Sequence, residues 1–210
     1  MVCIGNWFEC NQDHIWAALS ALGSVGTLFF AAKALRTWQY EKQYDLKIQN
    51  LASYNVAAQF ISNLRSPLSF EGEIDNEDYK VRIKELDDAN ESPRTKMALR
   101  AMFVYQSRKD KQQFVYEQVL KLREMNWATY GSKHEFYIFY NRIVSLDNEI
   151  RNAYITNYYN FLSEDEYGKD EFKAIIKANR AIMYELGEDD IIKRELETWR
   201  DKLERYRTSR

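Results

Sequence analysis

Helix breakers are scarce in this chain: two prolines and seven glycines among 210 residues. That scarcity excludes a fold built on many tight turns and favours long helices over sheets. Histidine is as rare, with only His14 and His134. The residue three before His134 is Gly131, so the Glu-x-x-His pattern of helical di-iron proteins fails. No Walker A sequence or other Gly-rich phosphate loop occurs. Cys3 and Cys10 are the only cysteines, and with His14 they lack the paired spacing of a zinc site. A short-loop disulfide between them and two free thiols both stay open. The net charge of −2 gives no electrostatic reason to expect nucleic acid as a partner. No metal, no cofactor and no enzymatic constellation is therefore expected.

Charge is absent from one stretch. Residues 15–32, IWAALSALGSVGTLFFAA, contain no Asp, Glu, Lys or Arg. Eighteen residues rise about 27 Å as a helix, close to the hydrocarbon thickness of a bilayer. The run predicts a retained transmembrane anchor. A cleaved signal peptide would need a basic n-region, whereas Glu9 and Asp13 precede this run. A buried core helix is the other competitor, but such helices are seldom uncharged for so long. Lys33, Arg36, Lys42 and Lys47 all follow the run. That cation bias predicts the N-terminus outside and the C-terminus cytoplasmic, in a single-pass inner-membrane protein. Trp7, Phe8 and Trp16 at one end, and Trp38 and Tyr40 at the other, suit the two headgroup zones. Small residues recur at four-residue spacing in the pairs Ala17 and Ala21, Ser20 and Ser24, Gly23 and Thr27. Such pairs let two helix backbones approach closely, which marks a self-association face.

The remaining chain reads as one all-α domain. The expected organisation is a short external tail at 1–14, the transmembrane helix at 15–32, a helical extension at 33–65 and a cytosolic up-and-down bundle at 66–210. Tyr44, Ile48, Leu51, Ala58 and Ile61 form one apolar stripe. Ser66-Pro67 ends that helix, and the acidic segment 66–78 reads as a loop. A short helix follows over 79–89. Ser92 then serves as N-cap with Pro93 at the first helical position. The polar stretch 106–113 is either a solvated face or a turn, and one long helix is preferred. Gly131-Ser132 closes this segment and caps the next.

Phe136, Phe139, Ile143, Leu146, Ile150 and Ala153 step by three and four, and Tyr154, Tyr158 and Phe161 continue with the drift of a 3.6-residue period. Phe172 to Leu186 carry the next helix, ended by Gly187. Ile192, Leu196, Trp199, Leu203 and Tyr206 stripe the last one, too short to declare a coiled coil and suited to a bundle.

Four features invite a functional reading. His134 is expected as an exposed helix-start residue. The carboxylates 164–166 and 188–190 complement helix N-termini, with cation binding as the alternative. Phe and Tyr lie on several faces of 136–161, so Tyr137, Tyr140 and Tyr159 are candidates for a partner surface. Arg200, Lys202, Arg205, Arg207 and Arg210 read as a solvated face rather than a lipid contact.

The apolar helix followed by RTWQYEKQYDLKIQNL resembles a broad set of uncharacterised bacterial membrane proteins, through Trp38-Gln39-Tyr40-Glu41-Lys42. The likeness covers residues 15–65. Some members come from mobile elements or defence islands, so the resemblance implies a role against phage and transfers no catalytic residue. The expected function is a membrane-anchored interaction protein that holds or senses a partner at the inner membrane face. Its expected partners are the lipid bilayer and a protein, either a different chain or a second copy. The alternative is a membrane-damaging effector acting through oligomerised transmembrane helices.

Overall fold

The computed structural model describes residues 4–65, 77–163, 168–184 and 187–208, without the side chains of 4–15, 18, 188 and 208. The described residues are all-α. The elements are α1 (Ile4–Arg65), α2 (Glu77–Asp88), α3 (Pro93–Lys111), α4 (Gln113–Tyr130), α5 (Glu135–Leu162), α6 (Lys169–Met183) and α7 (Ile191–Thr208), with a 3-10 turn at Gly187–Asp189. The chain divides into residues 1–47 and a compact helical bundle at 48–210. The bundle thus takes in residues 48–65, and its boundary lies near 47 rather than 65.

Among the described residues, no helix is long and apolar enough to cross a membrane. This corrects the anchor expected at 15–32, together with the single-pass inner-membrane placement and the transmembrane effector built on it. Helix α1 is ample in length at 62 residues, so the shortfall is in apolar content, which Ser20, Gly23, Ser24, Gly26 and Thr27 dilute. Helix α1 already begins at Ile4, ahead of the run. The side chains of Cys3, Cys10 and His14 lie outside the described residues.

In the bundle, α5 is the central element. Helices α3, α4, α6 and α7 all pack on it. Twelve of its 28 residues are buried, which a helix covered on most sides requires. The stripe expected there holds: Phe136, Phe139, Ile143, Leu146, Ile150, Ala153, Tyr154 and Tyr158 are buried. Ile192, Leu196 and Leu203 of α7 are buried as expected. Helix α2 packs on α3 through Leu86, Ala98 and Leu99, with Tyr79 against Phe103. The stripe expected on α1 is displaced, because Ile48 is exposed and Leu51 half-buried. The buried face runs instead through Asn50, Tyr54, Ala57, Phe60, Ile61, Leu64 and Arg65. Two of these are strongly polar, so an apolar count misjudges the phase.

Three buried polar links fix how the helices meet. Asn50 of α1 and Asn126 of α4 exchange carboxamide hydrogen bonds, each 2.8 Å. Asp147 of α5 is fully buried and accepts from the Tyr105 hydroxyl at 3.0 Å and from Lys109 Nζ at 2.6 Å, both on α3. Arg65, the last residue of α1, makes the third. Its guanidinium donates to both Asp190 oxygens at 2.9 and 2.7 Å, and to the carbonyls of Ala181, Ile182 and Tyr184 at 2.8–3.0 Å. Those carbonyls lie at the end of α6, where helical acceptors have no internal partner. Asp190 also accepts the Lys193 N–H at 2.9 Å, which caps α7.

Helix ends follow local chemistry with three departures. Ser92 Oγ accepts the Thr95 N–H at 3.1 Å with Pro93 at the start of α3, as expected. The long helix expected through 106–113 breaks at Gln112. Its N–H bonds the carbonyl of Lys109 three residues back, and its side chain accepts from Asn63 of α1 at 3.1 Å. No proline or glycine marks the place, so tertiary contacts hold it. Gly131 closes α4 in the left-handed region, φ 84°, but His134 rather than Ser132 caps α5. Helix α6 ends at Met183, and Gly187, φ 76°, opens the 3-10 turn instead of ending the helix.

Truncating the core tests these assignments. Ile150→Ala and Leu196→Ala are each expected to destabilise the full chain by about 2–5 kcal/mol in urea melts. Lys202→Ala, which removes a half-exposed 2.9 Å ion pair to Glu135, is expected to cost less than about 1 kcal/mol. Equal costs for all three would contradict the packing described.

Candidate functional site

A groove of about 910 Å³ opens on the bundle surface. Its apolar lining comes from Met97, Ala98 and Ala101 of α3, Phe161 of α5, and Phe172 and Ile176 of α6, with Ala98, Ala101 and Phe172 buried and Met97 exposed. Its rim is cationic, with Arg94 from α3 and Lys169, Lys173, Lys177 and Arg180 from α6. No Asp or Glu lines it among the described residues. Helix α6 produces this contrast because its cations recur nearly every fourth residue while Phe172 and Ile176 face inward.

Asn157 of α5 lines the same groove. It is 6% exposed, and its Oδ1 is buried without a hydrogen-bond partner. Such an acceptor costs free energy unless something donates to it. Tyr184 closes one end. Burial pushes its hydroxyl up, and Arg180 and Arg108 partly oppose the shift.

The second unusual surface is on α1, within residues 1–47. Leu22, Val25, Leu28, Phe29 and Phe30 are each 65–70% exposed. The proposed self-association residues Ala17, Ser20, Ala21, Gly23, Ser24 and Thr27 are all exposed too. Ser24 and Thr27 turn their hydroxyls onto their own helix, donating to the carbonyls of Ser20 and Gly23 at 2.9 and 2.7 Å. A Cβ at Gly23 or Gly26 would meet nothing within 4 Å. Packing within the chain therefore does not require glycine at either position.

The three candidate tyrosines part company. Tyr159 is exposed and Tyr137 half-buried. Tyr140 is fully buried and donates to the Asn50 carbonyl at 3.4 Å, so it belongs to the core and not to an outward surface. Its place follows from the α5 stripe, one residue beside Phe139. The carboxylates 164–166 lie outside the described residues. Of the second cluster, Asp190 is the buried partner of Arg65 and the cap of α7, whereas Asp189 is exposed.

His134 starts a helix as expected, but it is half-buried rather than exposed. Its ring stacks on Tyr130 at 4.3 Å between centroids and lies 5.5 Å from Phe136 and 5.8 Å from Tyr206. Nδ1 accepts the Phe136 N–H at 3.3 Å, which requires that nitrogen unprotonated. Among the described residues, no group of three His, Cys, Asp or Glu is placed to hold a metal ion. In comparisons with known proteins, no family model, curated protein or solved structure matches this chain.

The His134 cap gives a pH test. Burial holds its pKa below the ordinary imidazole value, and Glu135 pulls the other way. The unfolded chain thus takes up the proton first as pH falls. This contribution is complete above about 6.5 and is lost below it. His134→Asn keeps an acceptor at the cap but does not titrate. The wild type is expected to lose more stability than this variant between about pH 7 and pH 5. Parallel stability curves for the two chains would remove the assigned role.

Proposed function

We propose that this chain is a helical interaction protein that holds a protein partner along residues 16–35 of α1. The observation that carries the reading is the exposure of Leu22, Val25, Leu28, Phe29 and Phe30 on one helix. A large contiguous apolar surface of this kind marks an interaction site. The bundle has its own core around α5, and its buried charges Arg65, Asp147 and Asp190 are held in ion pairs.

A second copy of the chain is the alternative occupant, and Gly23 favours it. Glycine inside a helix costs about 1 kcal/mol relative to alanine, and no intrachain contact asks for it. Two helices approaching closely over Ala17, Ser20, Gly23, Ser24 and Thr27 would use that lack of bulk. A setting in phage defence rests on the resemblance of the Trp38–Lys42 stretch alone.

A photo-crosslinking residue in place of Leu22 or Leu28, in cells, tests both occupants. A protein adduct of defined mass is expected, and an adduct at twice the chain mass identifies a second copy. Gly23→Leu is expected to remove that doubled adduct. Absence of any protein adduct at both positions would overturn the proposal.

A further inference from the structure

The groove between α3, α5 and α6 is a second site, separate from the apolar face of α1. We infer that it takes an acidic amphipathic helix of a partner protein.

Three observations carry this. The groove has an apolar lining, and its rim holds five cations without a lining carboxylate among the described residues. Lys173 has an ion partner in Asp170, but at 3.8 Å and with both side chains well exposed it remains available. The buried Oδ1 of Asn157 lacks a donor. An occupant must therefore bring an apolar face, negative charge and one hydrogen-bond donor.

The spacing of the cations decides the class of occupant. Lys169, Lys173, Lys177 and Arg180 lie on successive turns of α6, spread over about 17 Å. A single phosphate or carboxylate headgroup spans two of them at most and leaves the others over solvent. A helix laid along the groove presents an acidic residue at each turn, and its apolar i, i+3, i+4, i+7 positions meet Met97, Phe172 and Ile176. A polar side chain on that face supplies the donor to Asn157. The dense cationic row also speeds encounter with an acidic chain and makes binding sensitive to salt.

The test uses the full chain and a labelled synthetic 18-residue helical peptide, with Leu on one face and Glu flanking it, followed by fluorescence anisotropy. The same peptide with Lys in place of Glu and dodecyl phosphate are the comparison probes. The acidic peptide is expected to bind, and the Lys peptide to bind at least tenfold more weakly. Lys173→Glu combined with Lys177→Glu is expected to weaken acidic-peptide binding at least tenfold, as is Asn157→Asp, which adds a negative charge inside the groove without changing side-chain size. Lys121→Glu, on the exposed face of α4, is expected to change it less than twofold. Circular dichroism of each variant separates lost binding from lost fold. Failure of the acidic peptide to bind, equal binding of both peptides, or binding of dodecyl phosphate alone would each overturn the inference. So would acidic-peptide binding that Asn157→Asp leaves unchanged in a folded chain.

Discussion

The bundle depends most on one ion pair. Arg65 and Asp190 are 2% and 1% exposed, with oxygen and nitrogen 2.7 Å apart. A charge so deeply buried is tolerated only when its partner and its remaining hydrogen bonds are supplied. Here the guanidinium is shared between Asp190 and the carbonyl end of α6. Cationic charge at that end also complements the helix dipole. Asp190 in turn caps α7. The end of α1, the end of α6 and the start of α7 are thereby tied at one point. Losing any one of these ends would leave a bare charge or several bare carbonyls in the interior.

The other two polar links serve a different purpose from the apolar core. Leu, Ile and Phe on α5 favour burial without choosing a unique register, since shifted packings bury similar area. The reciprocal Asn50–Asn126 pair and the Asp147 site with Tyr105 and Lys109 match only in one register. A slip of one helical turn, about 5.4 Å, would leave each unsatisfied. Burial and the charge of Asp147 together push the Tyr105 hydroxyl up, so it remains a proton donor. Above this frame, Arg65 holds the end of α6 while the outward edge of lysines stays in solvent. Among the described residues, the groove's unsatisfied buried side-chain acceptor, Asn157 Oδ1, sits on the central helix.

Much of the architecture was legible in the residue pattern, and the failures are physical. The α5 and α7 stripes were read correctly because apolar periodicity reports a face packed on neighbours. The Ser92-Pro93 start was legible because its chemistry is local. The buried face of α1 was misread because Asn50 and Arg65 lie on it, and a polar residue counts against burial until its partner is known. Asn126 lies 76 residues from Asn50, and Asp190 lies 125 from Arg65. No local signal pairs them. The break at Gln112 was ranked below one long helix for the same reason. The apolar run at 15–32 drew the largest error, since lack of charge was read as a membrane span. The groove was not foreseen, because the α3 and α5 walls and the unsatisfied Asn157 arise only from tertiary packing.

The account makes the Arg65–Asp190 pair the joint of three helix ends, and a double-mutant cycle measures that directly. Arg65→Met, Asp190→Asn and the double variant would be compared in urea melts of the full chain. Each single change strands a buried group, so a loss of about 3–5 kcal/mol is predicted for Arg65→Met. The double variant should be less destabilised than the sum of the singles by more than about 1 kcal/mol. Additive effects, or single losses below about 0.5 kcal/mol, would contradict the central place given to this pair.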